Sequence, residues 1–191
     1  MQQYLVRILV SLFISISAVG TLSASEPILE AVFMDVGQGD AALLKLPSGK
    51  YVLIDAGPSS HAGFMPYLRA HGIRKFEAIV ITHPHADNID GFEDLLRESE
   101  VDKVYDPGVP HTLKTYEKIL KTIEKKRIPY IQPKAGDVLQ WDTYVQVRVL
   151  HPDTPTHANI NDNSIVLQVT FGAVKFLFTG EGLAGQLDQD P

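Results

Sequence analysis

Short apolar, β-branched runs bounded by turn residues make up most of this chain, and they give its first outline. Residues 29–36, 41–46 and 51–55 read as strands, with Pro47-Ser48-Gly49-Lys50 as the turn between the last two. This pattern predicts a meander of neighbouring strands. The compact run at 78–82 predicts a buried strand, and the strand pattern returns at 144–150, 164–171 and 174–178, with Gly172-Ala173 as a turn. Helices are predicted in three places. A helix over 64–71 is stopped by Gly72, a second follows over 91–97, and a third spans 112–126, where Leu113, Tyr116, Ile119, Leu120 and Ile123 share one face. Strands and helices interleave without a repeat, so the pattern alone predicts a mixed α/β (α+β) fold.

The first 25 residues break this pattern. Arg7 is the only charge, residues 8–22 are apolar with small polar interruptions, and Ser23-Ala24-Ser25 offers small side chains for cleavage. The sequence therefore predicts a signal peptide over 1–25, export to the periplasm or the extracellular space, and one domain over 26–191. The apolar run falls short of the ~20 residues that a spanning helix needs, so no stable membrane span is expected after cleavage. The 191 residues are 45% hydrophobic and 21% charged, enough for one buried core. The formal charge is −6, and losing Arg7 makes the remainder one unit more acidic, which argues against broad nucleic-acid binding. Lys118, Lys121, Lys125, Lys126 and Arg127 form the one basic cluster and read as a solvated helix face, with phosphate contact as the alternative. No cysteine is present, so disulfides and thiolate ligands are excluded and any metal must take nitrogen and oxygen donors.

The chemistry concentrates at Thr82-His83-Pro84-His85-Ala86-Asp87-Asn88, between the strand at 78–82 and the helix at 91–97. Two histidines one residue apart in an extended segment point to the same side of the backbone, so both imidazoles can reach one cation, and Asp87 follows closely. Asp87 or Asn88 is also placed to cap the following helix. A strand-to-helix junction with clustered ligands is where α/β proteins place their sites.

This segment resembles the H-x-H-x-D-H signature of the metallo-β-lactamase superfamily, with Asn88 at the final position. Val32-Phe33-Met34-Asp35-Val36-Gly37-Gln38-Gly39-Asp40-Ala41 is similar to the opening of the hydrolase domain of ComEC-type DNA-uptake proteins and their stand-alone relatives. Leu53-Ile54-Asp55-Ala56-Gly57, Val149-Leu150-His151-Pro152, Asn161-Asp162-Asn163-Ser164 and Leu177-Phe178-Thr179-Gly180-Glu181 follow in the same order. The resemblance implies an αββα sandwich with its metals at one edge, between the sheets. It also implies an exported metal-dependent hydrolase, phosphodiesterase- or nuclease-like, acting on a small-molecule or nucleic-acid phosphodiester, with metal-bound hydroxide as nucleophile. His83 and His85 would hold the first ion. Asp87 would bind a second or orient the hydroxide, as the catalytic residue, and Glu181 would be a ligand where relatives carry a bridging aspartate. Asp55 would support the metal loop through hydrogen bonds or cap its own turn. Asp35, Gln38 and Asp40 read as structural, with Gly37 and Gly39 permitting a tight turn near the site. His151 reads as framework, and His61, His71, His111 and His157 as surface histidines.

The departures from that pattern carry expectations of their own. Asn88 puts a neutral amide where relatives have an imidazole, which weakens a second metal site. Asn161-Asp162-Asn163 stands where many relatives have a histidine, with Asp162 as the candidate substitute. The family continues past its Thr-Gly-acid motif to a further strand, histidine and helix, so the sequence predicts a truncated domain with an incomplete C-terminal part and a frayed end after Gly182. One zinc ion is expected rather than two, with manganese as the alternative metal, because three protein ligands plus water suffice for a catalytic zinc. The alternative function is a catalytically impaired or inactive relative, a remnant or a binding module. A third and weaker reading is an antibiotic-degrading β-lactamase.

Overall fold

The computed structural model describes residues 6–11, 26–58, 64–153 and 159–182. Its first half runs β1 (Val6–Ser11), β2 (Ile28–Phe33), β3 (Ala42–Lys45), β4 (Tyr51–Ile54), α1 (Phe64–Ala70), β5 (Lys75–Phe76), β6 (Ala78–Val80), α2 (Ala86–Ile89) and α3 (Gly91–Glu98). It continues with β7 (Glu100–Val101), β8 (Val104–Tyr105), α4 (Lys114–Lys126), β9 (Tyr130–Ile131), β10 (Val138–Leu139), β11 (Val145–His151), a 3-10 turn (Asn161–Asn163), β12 (Val166–Phe171) and β13 (Val174–Phe178). The expected leader falls outside the described residues except for β1, which pairs antiparallel with β2.

A seven-stranded sheet has the order β1-β2-β3-β4-β6-β8-β9, a four-stranded sheet follows as β10-β11-β12-β13, and β5 pairs with β7 alone. The meander β2-β3-β4 is antiparallel, and β4, β6, β8 and β9 are parallel, so several carboxyl ends open on one edge. Alternation in β4 shows how the layers form: Val52 and Ile54 pack toward the four-stranded sheet, while Leu53 packs toward the helices. Between the sheets they meet Val147, Val149, Leu167 and Val169. Under the helices, Leu53 and Ile79 meet Leu68, Phe92, Leu95 and Ile119. Each such fully buried side chain contributes about 1.5–3 kcal/mol relative to leaving it exposed.

The described residues thus build three layers: helices α1, α3 and α4, the large sheet, and the small sheet. The α+β class stands as the sequence pattern predicted, and the sandwich of two sheets as the resemblance implied. The outer face of the small sheet carries Gln146, Arg148, Lys175 and Leu177, all exposed. No helix among the described residues is long and apolar enough to cross a membrane.

Boundaries moved where side chains compete with the backbone ladder. The strand expected over 78–82 ends at Val80, because the Thr82 amide leaves the ladder to donate to Asp55. The helix expected over 112–126 begins at Lys114, after Leu113 in extended geometry (φ −65°, ψ 124°). The basic face of α4 is solvated and tied down locally: Lys121 pairs with Glu117 at 2.5 Å, Lys118 with Glu93 at 3.4 Å, and Lys126 donates to the Leu96 carbonyl at the end of α3.

Candidate metal centre

Parallel strands β4 and β6 end side by side, and each delivers a residue to the same corner. Asp55 leaves β4 with a left-handed backbone (φ 53°) and its amide bonded to the Val80 carbonyl at 2.9 Å. Its buried carboxylate accepts the Thr82 amide at 2.9 Å and the Thr82 hydroxyl at 2.6 Å. That hydroxyl has given its proton to Asp55, so it accepts from Nδ1 of His83 at 3.0 Å. The chain of bonds fixes the His83 tautomer, with the proton on Nδ1 and the lone pair on Nε2. This is the orientation in which an imidazole is prepared for a cation. Of the two roles read for Asp55, support of the metal loop is the one that its bonds describe.

His83 is fully buried, while the His85 side chain is 34% exposed, and their rings meet edge to face with centroids 4.8 Å apart. Glu181 arrives from the other sheet, just past β13. Its Oε2 lies 3.6 Å from His83 Nε2 and 3.7 Å from His85 Nδ1, and the three ligand atoms all lie within 4.8 Å of one another. Donors around one tetrahedral zinc sit roughly 3.4 Å apart, given bonds of ~2.0–2.1 Å. This donor set fits one ion, with a coordination position left over. Two contacts set its geometry across the sandwich: the Ile165 amide donates to the Thr82 carbonyl at 2.9 Å, and Gly180 lies against the Thr82 side chain.

Asp87 occupies the first turn of α2 and stands outside that three-residue group, although its charge acts on both His83 and Asp40. Neither Asp87 nor Asn88 caps a helix through its side chain. The N-cap of α2 is His85, and that of α3 is Asp90. Asn88 is buried and committed: its Oδ1 accepts the Asp40 amide at 2.7 Å, which turns Nδ2 toward His83 Nε2 at 3.3 Å. The amide therefore addresses the same lone pair that a cation would use. Asp162 lies outside the group, and its backbone carbonyl accepts from His151 Nε2 at 2.7 Å, which fits the framework role read for His151.

Electrostatics favour a cation here. Burial, followed by the charges of Glu181 and Asp87, raises the pKa of Asp40, and burial raises that of Asp55 well above its usual value against two hydrogen bonds from Thr82. Burial lowers the pKa of His83, opposed by Glu181. After burial, the charges that raise Asp40 and Asp55 are neighbouring carboxylates, so a positive ion would relieve the repulsion among them. Beside them opens a cleft of about 190 Å³, lined by Asp40, Thr82 and Gly180 and by the apolar Phe33, Met34 and Phe178. Sequence reasoning missed two participants. Asp40, read as structural, belongs to this cluster of charges, and the His111 ring stands 6.2 Å from that of His85. Neither has a spacing that separates it from a loop residue.

Asp55→Asn tests the tautomer relay. An amide nitrogen in place of Oδ2 turns the Thr82 hydroxyl round to donate to Nδ1, which moves the imidazole proton to Nε2. Metal affinity measured by competition with a chromophoric chelator is expected to fall roughly 10–100-fold, with the fold retained. The variant should also change stability with pH. Burial holds the folded pKa of Asp55 well above the ordinary aspartate value, so its ionisation opposes folding as pH rises from that ordinary value toward the raised one. Urea unfolding of chelator-treated protein is expected to show a loss of wild-type stability over that window relative to Asp55→Asn. Parallel pH profiles would refute the assignment.

Known proteins share this sequence and this fold. The chain is 29% identical over 170 residues to ComE operon protein 3 of Bacillus subtilis (strain 168), covering 80% of this chain and 22% of that protein. It is 26% identical over 149 residues to competence protein ComA of Neisseria gonorrhoeae, covering 77% and 19%. The chain thus spans about a fifth of the length of these relatives. Among solved structures, a Cronobacter sakazakii metallo-beta-lactamase superposes with a TM-score of 0.50 at 17% identity, over 78% of this chain and 55% of that one. That likeness shows the fold. Residues 34–184, from the end of β2 to just past Glu181, match the family model described as the metallo-beta-lactamase superfamily, and the chain belongs to that superfamily.

Proposed function

We propose that this chain is an exported hydrolase that uses one divalent cation, zinc or alternatively manganese, to cleave phosphodiesters. The observation that carries the reading is the convergence of His83 Nε2, His85 Nδ1 and Glu181 Oε2 at one corner between the sheets. A cation held there would supply Lewis acidity and bring the pKa of a water toward neutrality. The remaining roles belong to side chains. Asp55 and Thr82 hold His83 in its ligating tautomer, and Asp87 orients the attacking water and takes its proton. Asp40, with its raised pKa, is a second acceptor beside it. The cleft next to the group gives a substrate room to lie against Phe33 and Phe178. Phosphodiester as substrate class rests on the resemblance of residues 32–41 and the later motifs to ComEC-type hydrolase domains. Export rests on the leader pattern of residues 1–25.

A second reading, a relative that has lost its chemistry, draws on Asn88, whose amide sits on the His83 lone pair. Metal analysis separates the two. The purified chain is expected to retain about one equivalent of zinc or manganese after dialysis and to hydrolyse bis(p-nitrophenyl) phosphate, with both properties removed by chelator. A chain that neither retains metal nor turns over the diester would be the inactive relative.

A further inference from the structure

We propose that His111 is a substrate-binding residue of this site, a neutral imidazole whose Nε2–H donates to an oxyanion of the substrate. The inference rests on the metal-dependent reading above and adds the group that would hold the substrate's charge.

His111 lies in the loop between β8 and α4, far in sequence from the metal loop, yet its ring meets that of His85 at 69° with centroids 6.2 Å apart. The loop is anchored rather than draped. Asp106 Oδ1 receives the Gly108 amide at 2.6 Å, the Tyr116 hydroxyl at 2.8 Å and the Tyr130 hydroxyl at 2.7 Å, which ties the start of the loop to α4 and β9. Val109 is buried within it. At the far end, the Leu113 amide, at the start of α4, donates to His111 Nδ1 at 3.3 Å. An Nδ1 that accepts a backbone proton leaves the ring's own proton on Nε2.

This tautomer decides between two roles. A metal ligand needs a lone pair on the ligating nitrogen, and the ordinary arrangement has the other nitrogen donating its proton, as His83 does to Thr82. His111 has the reverse arrangement, so Nε2 offers a proton and no lone pair. Its ligand atoms also stand outside the group formed by His83, His85 and Glu181. Among the described residues, the neutral side-chain donor already at this corner is Asn88 Nδ2, and it is turned on His83 Nε2. Asp40, Asp87 and Glu181 repel an incoming anion, and the groups that shift the pKa values of His83, Asp40 and Asp55 are carboxylates, an imidazole and Thr82. A phosphoryl substrate presents oxygens that the cation does not take, and the His111 ring, beside His85 and with its proton on Nε2, offers a further neutral donor for one of them.

The experiment uses the full chain as wild type, His111→Ala, His111→Gln and His85→Ala. The readouts are metal content, affinity for inorganic phosphate by calorimetry on zinc-loaded protein, and KM and kcat for bis(p-nitrophenyl) phosphate. His111→Ala is expected to keep the wild-type metal content, to lose about tenfold or more in phosphate affinity and to raise KM, because hydrogen bonds to charged groups carry that weight. His111→Gln, which keeps an N–H donor, should recover most of both losses. Loss of metal in His111→Ala would make the residue a ligand and overturn the assignment, as would unchanged phosphate affinity and KM. If zinc-loaded wild type binds no phosphate, the assignment also falls, while the metal centre stands. Wild type without bound metal would instead overturn the functional reading, and the role of His111 with it.

Discussion

Replacing His85 with alanine is expected to abolish metal retention while leaving the fold intact. The side chain is 34% exposed, and its ring contacts are the rings of His83 and His111, so truncation opens no core cavity and orphans no buried polar group. What remains is one imidazole and one carboxylate, with Asn88 directed at the lone pair of that imidazole. Loss of an outer partner alone costs a metal site roughly 10–100-fold in affinity, so loss of a ligand should exceed about a hundredfold. Thermal melts with and without zinc read this directly. A ligand present at about a hundred times its Kd stabilises the wild type by about 2.7 kcal/mol, and the variant should melt where chelator-treated wild type does, unmoved by zinc. A variant that still holds one equivalent after dialysis would remove His85 from the centre.

The second large effect is expected at Gly39, far from any ligand in chemistry but not in space. Its φ is +84°, and a Cβ there would lie 1.9 Å from the backbone carbonyl oxygen of Asp87. The obstacle is a Cβ against main chain, which no rotamer can relieve. The left-handed conformation costs a side chain about 1–2 kcal/mol, and forced overpacking adds about 1–3 kcal/mol. The sum is a large part of the ~5–15 kcal/mol by which domains are stable. The damage also falls on the site, since the next residue donates its amide to Asn88 and accepts the Gly57 amide at 2.9 Å. Gly39→Ala is therefore expected to lower the urea midpoint sharply and to weaken metal binding together with it. Gly49, with φ +82° and nothing within 4 Å of an added Cβ, is the control, where alanine should cost only the backbone term. Equal losses at the two positions would refute the close contact as the cause.

These contacts also give the opening motif its physical role. Residues 36–40 are pressed against the metal loop, with Gly39 on Asp87 and the Asp40 amide on Asn88. Asn88 stands where the resemblance implies an imidazole, and it closes the loop by binding a backbone amide with its oxygen. The residue that looked like a break in the ligand set is a buried structural amide.

Much of the molecule was legible in the chain. Apolar, β-branched runs between turn residues located the long strands, because a strand buried in the core must carry apolar side chains along its length while the chain reverses at polar and glycine positions. Helical spacing located α3 and α4 for the same reason. The spacing of His83 and His85 and the Thr-Gly-acid motif at Glu181 singled out the three residues that the structure brings together. The two-residue strands β5, β7, β8, β9 and β10 did not, since so short a run has no period to read.

What the sequence determined by itself was local: which segments pair or coil, and that His83 and His85 present themselves together. Only the tertiary structure decided what meets them. It brought Glu181 across from the other sheet to 3.6 Å from His83, turned Asp55 and Thr82 into a relay fixing one tautomer, and set His111 beside His85. Each of these depends on residues 26 to 98 positions apart in the chain brought into one corner. Such distances are set by how two sheets stack and where their strands end, and no periodicity along a single segment carries that information.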